Sequence, residues 1–285
     1  MISKMTFILM EMTMKIKTAE EALSAVQQNA YALEHVPQKF QTAEVCLAAV
    51  QSDGWALKFV PETLMSAEIC QTAIQQDEDG WALQFVPEKL KTAKLCLAAV
   101  QKDSRALKYV PQKLKTAELC LTAIQHGEYG YVFEFVPQEL KTAKLCLEAV
   151  KENGRALEFV PESLKTAKLC LAAIQSYGRA LEFVPENLKT AKLCLAAVQS
   201  DGDALQFMPE NLKTTELCLT AVQQYGYALE FVPENLKTAN LCLEAVKTSG
   251  PALQYVPEKL RAQIMKEAGI SDDDDEDEDD DISIS

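Results

Sequence analysis

The chain of 285 residues holds only two histidines and two tryptophans, and no apolar run near the roughly 18 residues that cross a bilayer. No membrane association is expected. The apolar run at residues 7–10 is interrupted by Glu11, unlike a secretory signal. Basic residues are also scarce. There are 28 Lys and Arg against 42 Asp and Glu, a formal charge of −14. Ten of the acids form one unbroken run at residues 272–281, which leaves the remainder at −4. Such a body lacks the cationic excess that phosphate backbones attract, so no nucleic acid is expected as a partner.

Clustered chemistry is sparse as well. Cys46, Cys70, Cys96, Cys120, Cys146, Cys170, Cys194, Cys218 and Cys242 are spread one per sequence copy, with no Cys-x-x-Cys pair and no histidine beside them. Zinc needs clustered ligands, and cysteines a helix layer apart exceed the roughly 7 Å Cα separation that a disulfide tolerates. The thiols therefore read as a packing ladder of a reducing, cytoplasmic compartment, and no cofactor or metal is expected. A thiol-based redox or metal-responsive protein is the lesser alternative. His35 stands where other copies carry Phe or Tyr and is expected to pack as an aromatic substitute. His126 lies in an expanded turn with Glu128 and Tyr129, without a partner nucleophile. No enzyme is expected.

Self-similarity is what the sequence has in abundance. Proline recurs at Pro37, Pro61, Pro87, Pro111, Pro137, Pro161, Pro185, Pro209, Pro233 and Pro257. The period is 24 residues, stretched to 26 before Trp81 and before Tyr131. Each copy reads as two helices. Thr92 is placed to cap the first, with Ala93, Cys96, Ala99 and Val100 as its buried stripe and Lys94, Ala98 and Gln101 outward. Glycine follows this helix in eight copies, which suits a left-handed termination. In the second helix Ala106, Leu107, Tyr109 and Val110 are expected inside, and the next proline stops it. No single pair can bury its own apolar face, so neighbours must stack. The fold class expected is an all-α solenoid of about ten two-helix repeats. A leucine-rich repeat shares the period and the Leu95-Cys96-Leu97 fragment, but Val or Ile stands wherever it requires Asn or Cys.

The pattern Leu-Cys-Leu-Ala-Ala-Val-Gln…Gly-x-Ala-Leu-x-Phe, with Asn153-Gly154 as its turn, resembles the bacterial repeat family known as domain of unknown function 4116. The resemblance covers about residues 17–260 and implies a helical repeat in a bacterial protein, with no known activity. Four segments are expected: 1–16, poorly ordered or preceding a later translation start; 17–260, the solenoid; 261–270, a capping helix; and 271–285, a disordered acidic tail. In the first copy Glu21 and Ala22 replace the buried Leu and Cys, and Thr18 with Glu21 forms a capping box, as a terminal repeat requires.

The most variable position follows the glycine. It carries Tyr31, Trp55, Trp81, Arg105, Tyr131, Arg155, Arg179, Asp203, Tyr227 and Pro251, among them both tryptophans. Trp, Tyr and Arg dominate binding hot spots. Stacking would align Trp55, Trp81, Arg105, Tyr131, Arg155, Arg179 and Tyr227 into an edge that contacts an unidentified protein partner. The competing reading is that they cover the neighbouring repeat, in a structural spacer without a ligand. The acidic tail is expected to aid solubility or to contact a basic partner.

Overall fold

The computed structural model describes residues 16–127 and 130–270. The N-terminal segment up to residue 15, Glu128 and Tyr129 of the expanded turn, and the acidic tail lie outside them. The described residues form eleven α-helices and no strand, which removes the leucine-rich alternative. The helices are α1 (Ala19–Gln28), α2 (Ala43–Ser52), α3 (Ala67–Gln76), α4 (Ala93–Lys102), α5 (Ala117–Gln125), α6 (Ala143–Glu152), α7 (Ala167–Ser176), α8 (Ala191–Ser200), α9 (Thr215–Gln224), α10 (Ala239–Thr248) and α11 (Glu258–Ala268). Two compact units, Met1–Lys141 and Thr142–Ser285, divide them after α5. Within each unit consecutive α-helices pack against one another, with 3-10 segments between them. This is an all-α repeat solenoid fold.

The start of most long helices follows from a threonine, with Ser66 in its place at α3 and Pro257 before α11. Thr92 has extended backbone and its Oγ1 accepts from the Leu95 N–H at 3.2 Å, a cap that recurs through Thr238 in α10. The buried stripe of α4 is Leu95, Cys96, Ala99 and Val100. Ala93, expected inside, is exposed because it occupies the first turn, before the helix meets its neighbour. Ala98, expected outward, is half-buried.

The second segment of each copy is a helix of the tighter 3-10 kind. Ser104–Tyr109 lies between Asp103 and Val110, both extended. Its Ala106 N–H bonds the Asp103 carbonyl at 3.0 Å, and the Val110 N–H bonds that of Leu107 at 3.2 Å. Six residues fixed between a cap and a Val-Pro stop leave no room for a ladder of i→i+4 bonds. Ala106, Leu107 and Val110 are buried, but Tyr109 is only half-buried. His35 is exposed rather than packed, since its polar ring gains nothing from the partial cover its aromatic counterparts receive.

Glycine serves a purpose other than helix termination. Among the described residues Gly80 and Gly269 have positive φ, at 69° and 73°. Elsewhere the helix ends on an extended residue such as Asp53, and Gly54 opens the 3-10 segment. A Cβ on Gly54 would lie 2.2 Å from the Ala73 carbonyl oxygen, and one on Gly154 2.1 Å from that of Ala173. Glycine is there because the next helix passes too close for a side chain.

A recurring lysine, unassigned by the sequence pattern, fastens successive copies. Lys91 Nζ donates to the Tyr109 carbonyl at 2.8 Å and Lys115 Nζ to that of Phe135 at 2.7 Å. Lys165, Lys189, Lys213 and Lys237 repeat the bond to Phe183, Phe207, Phe231 and Tyr255 at 2.9–3.2 Å. These four side chains are 5–8% exposed, and each also meets a Glu three residues earlier. That Glu is mostly solvated, so the carbonyl bond is the more consequential contact. Lys189→Met keeps the stem and strands the Phe207 carbonyl. It should lower stability by about 1–3 kcal/mol, read by urea titration. Glu186→Gln should change it by less than about 1 kcal/mol; equal losses from both would assign the effect to the ion pair.

The ends differ from the middle. Thr18 and Glu21 form both bonds of a capping box. At the other end α11 begins at Glu258, three residues before Arg261, buries Ile264 and stops at Gly269 in the left-handed conformation.

Candidate functional site: the aromatic and arginine edge

The edge residue is the second of its 3-10 segment in most copies, and in five of them the side chain of the preceding cap fixes its direction. Asp53 Oδ1 accepts from the Trp55 N–H at 2.8 Å, Asp103 from that of Arg105 at 2.7 Å and Asp201 from that of Asp203 at 3.0 Å. Asn29 and Asn153 do the same for Tyr31 and Arg155 at 2.9 Å. Apart from Asn153 of the Asn-Gly turn these caps were not singled out in the sequence, although Asn or Asp in this register, before glycine in three of the five, is a legible signal.

In the first unit the edge is a stack. Trp55 and Trp81 lie 6.2 Å apart between ring centroids at an interplanar angle of 27°. The Arg105 guanidinium carbon sits 5.0 Å from the centre of the Trp81 ring. Asp103 holds that guanidinium from below, with Nε 2.7 Å from Oδ2 and Nη2 also in contact. Burial alone would raise the Asp103 pKa, but the hydrogen bonds from Arg105 hold it below the ordinary carboxylate value. Tyr131 is half-buried within this unit.

One further contact rule appears. Tyr31 meets Phe59 edge-on at 6.1 Å and Trp55 meets Phe85 edge-on at 5.8 Å. In the second unit Arg179 lies 5.9 Å from the Phe207 ring, and Tyr227 meets Tyr255 edge-on at 6.3 Å. These four edge side chains thus rest on the aromatic that closes the 3-10 segment of the following copy. Arg179 also bonds Asp203 Oδ2 at 3.2 Å, Tyr227 lies 5.4 Å from Tyr225, and the more exposed Arg155 reaches Glu158 at 3.9 Å. Trp55, Trp81 and Arg105 are therefore brought together, whereas Arg155, Arg179 and Tyr227 each engage a separate local partner.

Two open clefts lie along this edge. The larger, about 470 Å³, is in the first unit between Tyr31, Asp53, Trp55 and the turn Asp77, Glu78 and Asp79. The second, about 360 Å³, is in the other unit at the equivalent place, with Arg179, Asp201, Asp203 and Tyr225 in its wall.

The cysteines lie elsewhere, fully buried with free thiols. Burial pushes the thiols of Cys46, Cys70, Cys120 and Cys218 up to about 11. His126 Nδ1 is 2.9 Å from the Thr122 carbonyl oxygen. Among the described residues no group of three or more His, Cys, Asp or Glu is placed to hold a metal, and no helix is long and apolar enough to cross a membrane.

No curated protein matches the chain. The family model for the domain of unknown function DUF4116 matches it in six stretches, the first four overlapping: residues 20–65, 43–91, 67–115, 94–141, 144–189 and 192–237. These cover most of the helical array just described, and the chain belongs to the DUF4116 repeat family.

Proposed function

We propose that the chain is a non-enzymatic protein-binding scaffold whose contact surface is the aromatic and arginine edge. One observation carries the reading. The repeat position that holds residues 55, 81 and 105 changes type between otherwise near-identical copies, yet these three join into one Trp-Trp-Arg stack that stays partly open to solvent. Planar side chains already held in place lose little freedom on binding. The edge-on contacts with Phe59, Phe85 and Tyr255 support the second reading, a structural spacer whose edge covers its own repeats.

The test is quantitative mass spectrometry of proteins captured from a lysate by the full chain. A variant with Ala at positions 55, 81, 105, 131, 155, 179 and 227 is compared after matching helicity. A milder variant, Arg105→Gln with Arg155→Gln and Arg179→Gln, controls for loss of packing. Capture by wild type that both variants lose supports the scaffold reading. Identical profiles from all three reject it in favour of the spacer.

A further inference from the structure

The larger cleft combines aromatic walls with carboxylates at a place where the repeat elsewhere holds a cation. Tyr31 and Trp55 form two sides of it, and Asp53, Asp77, Glu78 and Asp79 supply the charge. Asp77 is 2% exposed, and its carboxylate accepts from the Ala82 N–H at 2.5 Å and the Asp79 N–H at 3.3 Å. Glu78 and Asp79 come with the two extra residues of this turn and are exposed. The cleft also lies at the C-terminal ends of α2 and α3, whose last carbonyls add negative potential, met in part at α3 by Lys102.

Neighbouring copies show what such a place holds. In the second unit the edge residue is Arg179, which lies over Phe207 and bonds Asp203. In the larger cleft Tyr31 stands in for that arginine, on Phe59, and Trp55 stands in for Asp203. Two copies beyond Trp55, Arg105 lies over Trp81 against Asp103. Lys102 Nζ donates to the Gln75 and Asp77 carbonyls at 2.6 and 2.9 Å, at the end of α3. Lys102 thus binds carbonyls beside the cleft, and at two other places the edge holds an arginine of the chain itself against a ring and a carboxylate. At Tyr31 and Trp55 it offers aromatic faces and acids to one from outside.

We infer that the cleft between Tyr31, Trp55 and the Asp77 turn receives a lysine or arginine side chain of a basic segment in a protein partner. This rests on the scaffold reading and names the chemistry of its ligand. The cation would lie against the Trp55 face, with Asp53, Glu78 and Asp79 around it, as Arg105 lies against Trp81. Arginine should bind more tightly than lysine, because its plane stacks and forks at once.

The experiment uses the full chain and two uncharged-capped peptides, one alternating Gly and Arg and one alternating Gly and Glu. Because Trp55 and Trp81 are the only tryptophans, their two indole N–H resonances report on this edge directly. The Gly-Arg peptide is expected to shift the Trp55 resonance saturably, and the Gly-Glu peptide to leave it in place. Asp53→Asn with Glu78→Gln and Asp79→Asn should weaken the Gly-Arg peptide at least tenfold. Asn29 and Asn153 already serve at the position of Asp53, so the cap survives that change. Binding that the triple variant leaves unchanged would assign the peptide to the acidic tail and overturn the inference. Absence of saturable binding by wild type would overturn it too. If the peptide fails while the edge variants still lose a captured protein, only the basic-segment inference falls and the scaffold reading stands.

Discussion

Gly54→Ala and Gly154→Ala are each expected to lower stability by about 3 kcal/mol or more, among the largest effects a single methyl can have here. The added carbon would sit 2.2 or 2.1 Å from a backbone carbonyl oxygen of the next copy, so a helix must move rather than a side chain. Opening that gap separates the stripes of two copies that contain Cys46 and Cys70, or Cys146 and Cys170. Gly250→Ala is the internal control, since nothing lies within 4 Å of its Cβ. It should be neutral or slightly stabilising, because alanine restricts the unfolded chain. Thermal melts of the three variants decide the matter. Comparable losses at Gly54 and Gly250 would mean that glycine acts through backbone freedom and not through close approach.

Alkaline pH should destabilise the fold steeply, and the cysteine ladder should be the cause. Burial raises the thiols of Cys46, Cys70, Cys120 and Cys218 to about 11, against 9.0 for a free thiol. A group whose pKa is higher folded than unfolded contributes stability that is intact below the unfolded value. It is lost as pH rises from about 9 to about 11, because the unfolded chain ionises first. Each such thiol is worth up to about 3 kcal/mol over that window. Lys91 and Lys115 act in the opposite direction, because burial lowers their pKa and deprotonation relieves it. The melting temperature should therefore fall between pH 8 and pH 10.5, and Cys46→Ala with Cys70→Ala should flatten that fall. Parallel curves for wild type and variant would clear the thiols of the effect. The same burial predicts that a thiol reagent at pH 8 labels native protein far more slowly than urea-unfolded protein, in which all nine cysteines react. Fast native labelling would restore the redox alternative.

Periodicity, helix starts and the inside positions at Cys96, Ala99 and Val100 were all readable from the chain, because each is set by spacing within one copy. Thr92 as a cap and the Thr18–Glu21 box follow from local hydrogen-bond chemistry that needs no neighbour. So does the variable position that gathers Trp55, Trp81 and Arg105. Its direction was not readable. That Trp55 stacks on Trp81, and that Tyr31, Trp55, Arg179 and Tyr227 rest on the next copy's aromatic, depends on how copies pack.

The same division explains the other differences. Ala93 and Leu95 are both apolar and both early in α4, but only Leu95 reaches the neighbour and is buried. Lys91 and Lys189 look like surface charges in a Lys-Thr pair, yet the carbonyl that captures them belongs to another copy. Gly54 reads as a helix terminator in one dimension and proves to be clearance for a crossing carbonyl in three. Legible in the sequence alone was what each copy is: two short helices between a threonine or serine and a proline, the 3-10 kind of the second being visible only in the structure. Only tertiary structure decided which side chains meet across copies, because those contacts depend on the separation and angle of stacked helices, which no pattern within 24 residues encodes.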